Sequence, residues 1–190
     1  HGAIGTTNEL SVGGYTKRAG EFSKLDKTYE VELTLGATSV TGDAEGPITP
    51  ILVRDSHKNR RSSKIVRGIL ESFVGEISQV PHAHSAVKVG GQRAYKLARA
   101  GKEVKIKPRK VTIYELRFTN YEYPKLCFTA RVSSGTYIRS LAEDIGKELG
   151  TGAYVSGLRR TKIGKFDIKE ALQFKSLNID NVQSGVAKTP

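Results

Sequence analysis

The stretch KLCFTARVSSGTYIRSLAEDIGKELG, Lys125 to Gly150, changes its hydrophobic period half-way along, and that change decides the fold class. In the first part Leu126, Phe128, Ala130 and Val132 alternate with Cys127, Thr129 and Arg131, the period-two pattern of a half-buried strand over Lys125–Ser133. Between Ser133 and Gly150 the apolar residues Ile138, Leu141, Ala142, Ile145 and Leu149 keep helical spacing instead. Glu143 stands four residues before Lys147, and Gly150 can adopt the left-handed conformation that stops the helix. A strand therefore feeds a helix through a short polar turn.

Working outward, TYEVELTLG (Thr28–Gly36) puts Tyr29, Val31, Leu33 and Leu35 on one side and Glu30, Glu32 and Thr34 on the other, a second half-buried strand. Lys110–Phe118 reads as a third, joined to the Lys125 strand by a turn over Asn120–Pro124. ATSVTGDAEGPITP (37–50) is dense in turn formers and reads as a loop. Ser62 and Ser63 ahead of Ile65, Ile69, Leu70 and Phe73 predict a short capped helix closed by Gly75. Gln92–Ala100 reads as another, with Tyr95, Leu97 and Ala98 inward and Gly101 past its end. Strands and helices interleave without the regular alternation of a doubly wound parallel sheet. The expected architecture is α+β, a mixed, largely antiparallel sheet flanked by helices and loops.

Thirty-one Lys plus Arg against 19 Asp plus Glu give a net charge of +12 over 190 residues. A surplus of that size on a small domain favours a polyanionic partner, because each neutralised phosphate releases condensed counterions. With 37% hydrophobic and 26% charged residues the chain can bury a core, and no run approaches the roughly 20 apolar residues of a spanning helix. The single Cys127 excludes a disulfide framework, and no apolar secretory segment opens the sequence, so a reducing cytoplasm is the expected compartment. The sequence contains no Met, so His1 is expected to be a processed or internal start.

The common chemistries find little support. His1, His57, His82 and His84 lack metal-ligand spacing with carboxylates, so no metal is expected. The glycines near Gly13, Gly42 and Gly90 lack the strand, loop, helix and Lys of a phosphate-binding loop. Cys127 faces outward on its strand with no His nearby in sequence and reads as a plain β residue. Arg139 is different: one residue after Ile138, about 100° round the helix axis, it flanks the apolar stripe. A guanidinium there either pairs with a carboxylate or phosphate or snorkels from a boundary position. Likewise Tyr29 can be a core aromatic, and LRRTKIGKF (Leu158–Phe166) a basic edge strand.

The order of segments adds a further indication. KTYEVELTLG (Lys27–Gly36) followed by TGDAEG (Thr41–Gly46), QVPHAHSAVKVGGQRAYKLARAGKEV (Gln79–Val104), PRKVTIYEL (Pro108–Leu116), SSGTYIRSLAEDIGKELG and LRRTKIGKF together resemble the TruB type of tRNA pseudouridine synthase, over residues 20–173. The resemblance implies an isomerase that flips a uridine from the tRNA T-loop (position 55). It breaks the N-glycosidic bond, turns the base and rejoins it to the ribose through C5, without metal or organic cofactor. Replacement contacts must offset a few kcal/mol of lost stacking. By the same resemblance Tyr29 is the aromatic that stacks on the base, Tyr137 and Leu158 line the uridine pocket, and Arg139 pairs with the catalytic carboxylate. The family's aspartate lies in a segment like GTLDPLATG; the nearest string here, GTTNELSVG (Gly5–Gly13), puts Asn8 at its place.

Residues 1–20 are thus expected to be a divergent or incomplete segment, 21–175 the catalytic-type domain and 176–190 a polar tail. No separate C-terminal RNA-binding domain is expected. The implied partner is the tRNA T-arm, bound by a monomer with no membrane association. Lys88, Arg93, Arg109, Lys110, Arg159, Arg160 and Lys162 are the candidate phosphate contacts, clustered in the basic motifs. Two other functions stand beside catalysis. The amide of Asn8 would suit a catalytically inactive protein that binds or helps fold tRNA on the same scaffold. The charge alone would suit a basic structural protein of a ribonucleoprotein particle.

Overall fold

The computed structural model of the chain describes residues 19–51, 61–82, 85, 87–100 and 106–171. Its elements, in order, are α1 (Ala19–Lys24), β1 (Lys27–Leu35), β2 (Ala37–Ser39), β3 (Ile48–Pro50), α2 (Ser63–Ser72), β4 (Gly75–Gln79), β5 (Lys88–Val89), β6 (Gln92–Arg93), α3 (Ala94–Arg99), β7 (Arg109–Glu122), β8 (Lys125–Val132), α4 (Ile138–Leu149), β9 (Ala153–Ile163) and β10 (Phe166–Asp167), followed by a 3₁₀ turn at Ile168–Glu170.

Six strands form one sheet in the order β10-β9-β1-β8-β7-β4. Every pair in it is antiparallel; among the described residues, parallel geometry enters only as an isolated bridge between Asp43 and Val155. Because side chains alternate faces, the β1–β8 register sets Val31 opposite Phe128 and Leu33 opposite Leu126 on one face, with Glu32 opposite Cys127 on the other. The apolar face is covered by α2 and α4, whose Val66, Leu70, Leu141, Ile145 and Leu149 close the core with Val31, Leu33, Ile113, Leu126 and Phe128. Each such Leu or Phe stabilises the fold by about 1.5–3 kcal/mol through removal from water. The opposite face carries ion pairs, Lys125–Glu32 at 2.6 Å and Arg159–Glu30 at 3.8 Å.

Several local expectations change. The loop at 37–50 contains the small β2–β3 hairpin, with Ala37 opposite Pro50. Strand β7 runs on through Asn120 to Glu122, leaving only Tyr123–Pro124 as the turn. The helix after Ser62 has the expected cap, Ile65 N–H donating to Ser62 Oγ at 3.4 Å, but it stops at Phe73; Gly75, at φ 124°, opens β4. Its buried stripe starts at Val66, while Ile65 is 46% exposed. The helix expected over Gln92–Ala100 is shorter, α3, preceded by the β5–β6 pair. Gly101, His1, His57, His84 and Asn8 lie outside the described residues. No helix among the described residues is long and apolar enough to cross a membrane.

Candidate functional site

The site is built where α4 begins. Tyr137 is extended (φ −101°, ψ 108°) and caps the helix without a side-chain bond of its own. Gln79, buried at the end of β4, does that work: Tyr137 N–H donates to Gln79 Oε1 at 2.8 Å, and Gln79 Nε2 donates to the Tyr137 carbonyl at 3.1 Å. A buried amide that satisfies both its donor and its acceptor on one residue fixes that residue firmly. Ser140 adds a second tie, its hydroxyl donating to the Val80 carbonyl at 2.9 Å.

Arg139 leaves this fixed first turn toward the Thr41–Gly46 loop. Its Nη1 donates to the Thr41 carbonyl at 3.0 Å and to Asp43 Oδ2 at 2.9 Å. Both side chains are largely withdrawn from water, at 27% and 24% exposed, so the pair keeps strength that a surface bridge would lose to screening. Asp43 Oδ1 in turn accepts from Thr41 Oγ1 at 2.6 Å and from Glu45 N–H at 3.1 Å. Burial alone would raise the Asp43 pKa, but the Thr41 hydroxyl, the Glu45 amide and the Arg139 guanidinium outweigh it and hold the carboxyl below its usual range. The loop is anchored on β9 by Val155 N–H donating to the Gly42 carbonyl at 3.0 Å.

Two further candidate residues, Tyr29 and Leu158, lie along one face of the sheet. The β1–β9 register sets Leu33 opposite Val155, Val31 opposite Leu158 and Tyr29 opposite Arg160. Tyr29 and Leu158 are half-buried and pack on the core cluster that contains Ile138, the neighbour of Arg139. From the Asp43 anchor at Val155, then, the face runs through Leu158 to Tyr29, four residues along β1 or roughly 13 Å. Burial raises the Tyr29 pKa, partly offset by the charge of Arg160 and its hydrogen bond to the phenol. An aromatic plane, an aliphatic neighbour and cationic groups at either end suit a flat, polar, anion-linked ligand such as a nucleotide. The cleft of about 400 Å³ beside α4, lined by Val80, His82, Ile106, Glu143 and others, includes neither Tyr29 nor Leu158.

The cations chosen from sequence fall into different settings. Arg159 and Arg160, adjacent in the chain, point to opposite faces: Arg159 toward Glu30 on the solvent face, Arg160 toward Tyr29. Lys110 is held by Glu76 at 2.8 Å. Arg93, Arg109 and Lys162 are exposed, and Lys88 lies on β5 beside Arg93 in the β5–β6 pair. Asp43, Gln79 and the Glu143–His82 contact at 3.0 Å were not among the site residues chosen from sequence. For Asp43 the TGD turn was the available signal; Gln79 gave none, being a polar residue at the end of a short strand.

Known proteins resemble the chain over most of its length. The sequence profile of the TruB family pseudouridylate synthase N-terminal domain matches residues 9–138, and that of the tRNA pseudouridylate synthase B C-terminal domain matches 139–184. The chain is 41% identical over 171 residues to tRNA pseudouridine synthase B of Nitrosococcus oceani, covering 90% of this chain and 54% of that protein. The Syntrophotalea carbinolica protein of the same name is 36% identical over 185 residues, 94% of this chain and 59% of that one. The chain thus spans little more than half the length of these relatives. Among solved structures, a chain of a Cbf5-Nop10-Gar1 complex superposes with a TM-score of 0.57 at 25% identity, over 80% of this chain and 35% of that one. A chain from an H/ACA RNP bound to a substrate RNA containing 2'-deoxyuridine does so at 0.52 and 22% identity, which speaks to the fold. With its first 138 residues nearly all within the N-terminal domain profile and a fold shared with these solved chains, the chain belongs to the TruB family of pseudouridylate synthases.

Proposed function

We propose that this chain isomerises a uridine of tRNA to pseudouridine, the T-loop uridine at position 55 being the substrate, with residues 21–175 as the working unit. The observation that carries the reading is Arg139, withdrawn from water and held by Asp43 and the Thr41 carbonyl at the end of the face that Tyr29 and Leu158 share. In the reaction the N1–C1′ bond breaks and a C5–C1′ bond forms, C5 gives up its hydrogen to solvent, and N1 takes up a proton. Atoms balance without a redox partner or an added group. Tyr29 and Leu158 would receive the extruded base, replacing its lost stacking, with Tyr137, at the head of α4, as the further lining residue of this reading. Arg139 would orient a carboxylate, or stabilise the charge that develops as the bond breaks. Asp43 accepts hydrogen bonds on both oxygens and so suits holding Arg139 better than attacking the sugar.

The test is release of tritium from tRNA labelled at uridine C5, since the product has the same mass as the substrate. Release by the chain, with position 55 converted, is the expected result; binding without release would reject catalysis. That second outcome is the alternative favoured by Asn8, an amide where the family carries its aspartate. The chain would then be a tRNA-binding or tRNA-folding protein. A cytoplasmic monomer is the state in which we expect it to act.

A further inference from the structure

Gly42, at φ 73°, sits in the turn that delivers Asp43 to Arg139, and the space on one side of it is closed. A Cβ there would lie 3.0 Å from Glu143 Oε1, 3.1 Å from Arg139 Cβ and 3.2 Å from His82 Cδ2. Three side chains thus wall one seat. Arg139 grips the turn itself, whereas Glu143 and His82 grip each other, Nε2 to Oε1 at 3.0 Å, with the imidazole only 9% exposed. Glu143 lies four residues after Arg139, one helical turn along the same face of α4. An imidazole can donate from Nε2 whether neutral or protonated, so the contact does not require a charge. Behind His82, the Gln79 and Ser140 hydrogen bonds already fix this segment to α4.

The Asp43 carboxylate gets its local shape from Thr41 and Glu45, but its distance from Arg139 depends on where the whole turn rests. On the β9 side one backbone bond to Val155 sets that position; on the α4 side the His82–Glu143 wall does. We propose that His82 and Glu143 are positioning residues for Arg139, walling the Gly42 seat so that the turn presents Asp43 to the guanidinium at hydrogen-bonding distance. Displacements of about 1 Å at such a distance can cost on the order of 100-fold in rate. The catalytic half of the inference rests on the function proposed above; the structural half does not.

Glu143→Ala, Glu143→Gln and His82→Ala test it in the full chain. Glu143→Gln loses the same charge as Glu143→Ala but keeps an acceptor for His82, so the difference between them isolates position from charge. The Asp43 carboxyl is titrated by ¹³C NMR, and kcat and KM are measured by tritium release from C5-labelled tRNA. Expected are an Asp43 midpoint higher in Glu143→Ala than in Glu143→Gln, and a midpoint in His82→Ala raised toward the ordinary 3.8. For both alanine variants kcat falls about tenfold with KM within about twofold, and Glu143→Gln recovers most of it. Equal Asp43 midpoints in the two Glu143 variants overturn the proposal. A moved midpoint with kcat unchanged overturns its catalytic half. Should His82→Ala fail to fold, the Glu143 pair decides, that side chain being 40% exposed. If the unsubstituted chain releases no tritium, the synthase reading falls and the titration still judges the seat.

Discussion

Arg139 and Asp43 face each other across 96 positions of sequence, and each makes a different demand on the other. Removing the guanidinium leaves a half-buried carboxylate without its cation and the candidate pocket without its charge. Arg139→Ala is therefore expected to lower tritium release by at least about 100-fold, a loss on the scale of one deleted charge-stabilising donor. It should leave tRNA affinity within about fivefold, measured by filter binding; retained turnover would refute the role. Asp43 has a pH signature of known sign. Its folded-state pKa is depressed, so its contribution to stability is fully present above the ordinary carboxylate value of about 3.9 and is lost as pH falls through the lower folded value. Asp43→Asn should flatten that acid-side fall in urea melts and lower stability at neutral pH. The offset of Arg139 from the Ile138 stripe left pairing and snorkelling both open, and the family resemblance pointed to a carboxylate; which carboxylate was not legible, since no pattern rule spans 96 positions. The Lys110–Glu76 pair was hidden for the same reason, being made only when β4 and β7 align.

The elements near the site are set by glycines that admit no side chain. Gly146 in the middle of α4 lies against the backbone of Gly152 and Ala153, where a Cβ would contact Ala153 N and approach Gly152 C at 2.5 Å. Its carbonyl also accepts from Thr151 N–H at 3.0 Å and Gly152 N–H at 2.9 Å. Helix propensity favours Ala over Gly by about 1 kcal/mol, yet here the obstacle is backbone, which cannot swing aside. Gly146→Ala should therefore destabilise by about 1–3 kcal/mol net, read as a lower urea midpoint at unchanged m-value. A neutral or stabilising result would show that α4 does not pack this closely on β9. Helix α4 itself was plain from its apolar spacing and Gly150. Of the stripe expected on α2 only the first member was wrong: Val66, Ile69, Leu70 and Phe73 follow the i, i+3, i+4, i+7 rule, and Ile65, apolar but about 100° away, is exposed. Strand β4 was unread because GEISQ is five residues long and has too few alternations to count. The β2–β3 hairpin is shorter still and takes its form from the loop it closes.

Across the whole molecule the +12 charge is unevenly available. On the outer sheet face carboxylates answer the cations, Glu30 for Arg159 and Glu32 for Lys125. The β5–β6 pair and α3 differ: Arg93 and Lys96 are exposed there and line an open groove of about 810 Å³ with Gln92 and Tyr95. If the chain binds tRNA as proposed, counterion release should be concentrated on this segment rather than spread over every basic motif. Affinity is then expected to fall at least tenfold between about 50 and 200 mM salt, as for any protein neutralising several phosphates. The double variant Arg93→Glu, Lys96→Glu should reduce the slope of log affinity against log salt by about 1.4–1.8, roughly 0.7–0.9 for each of two phosphates no longer neutralised. Arg159→Glu, which breaks only a weak exposed pair, should leave the slope nearly unchanged. Titration of the three proteins with tRNA over a salt series, read by fluorescence anisotropy, separates the possibilities. Equal slopes in all three would mean that the phosphates are gripped elsewhere. A change with Arg159→Glu as large as with the double variant would make the solvent face of the sheet part of the RNA contact.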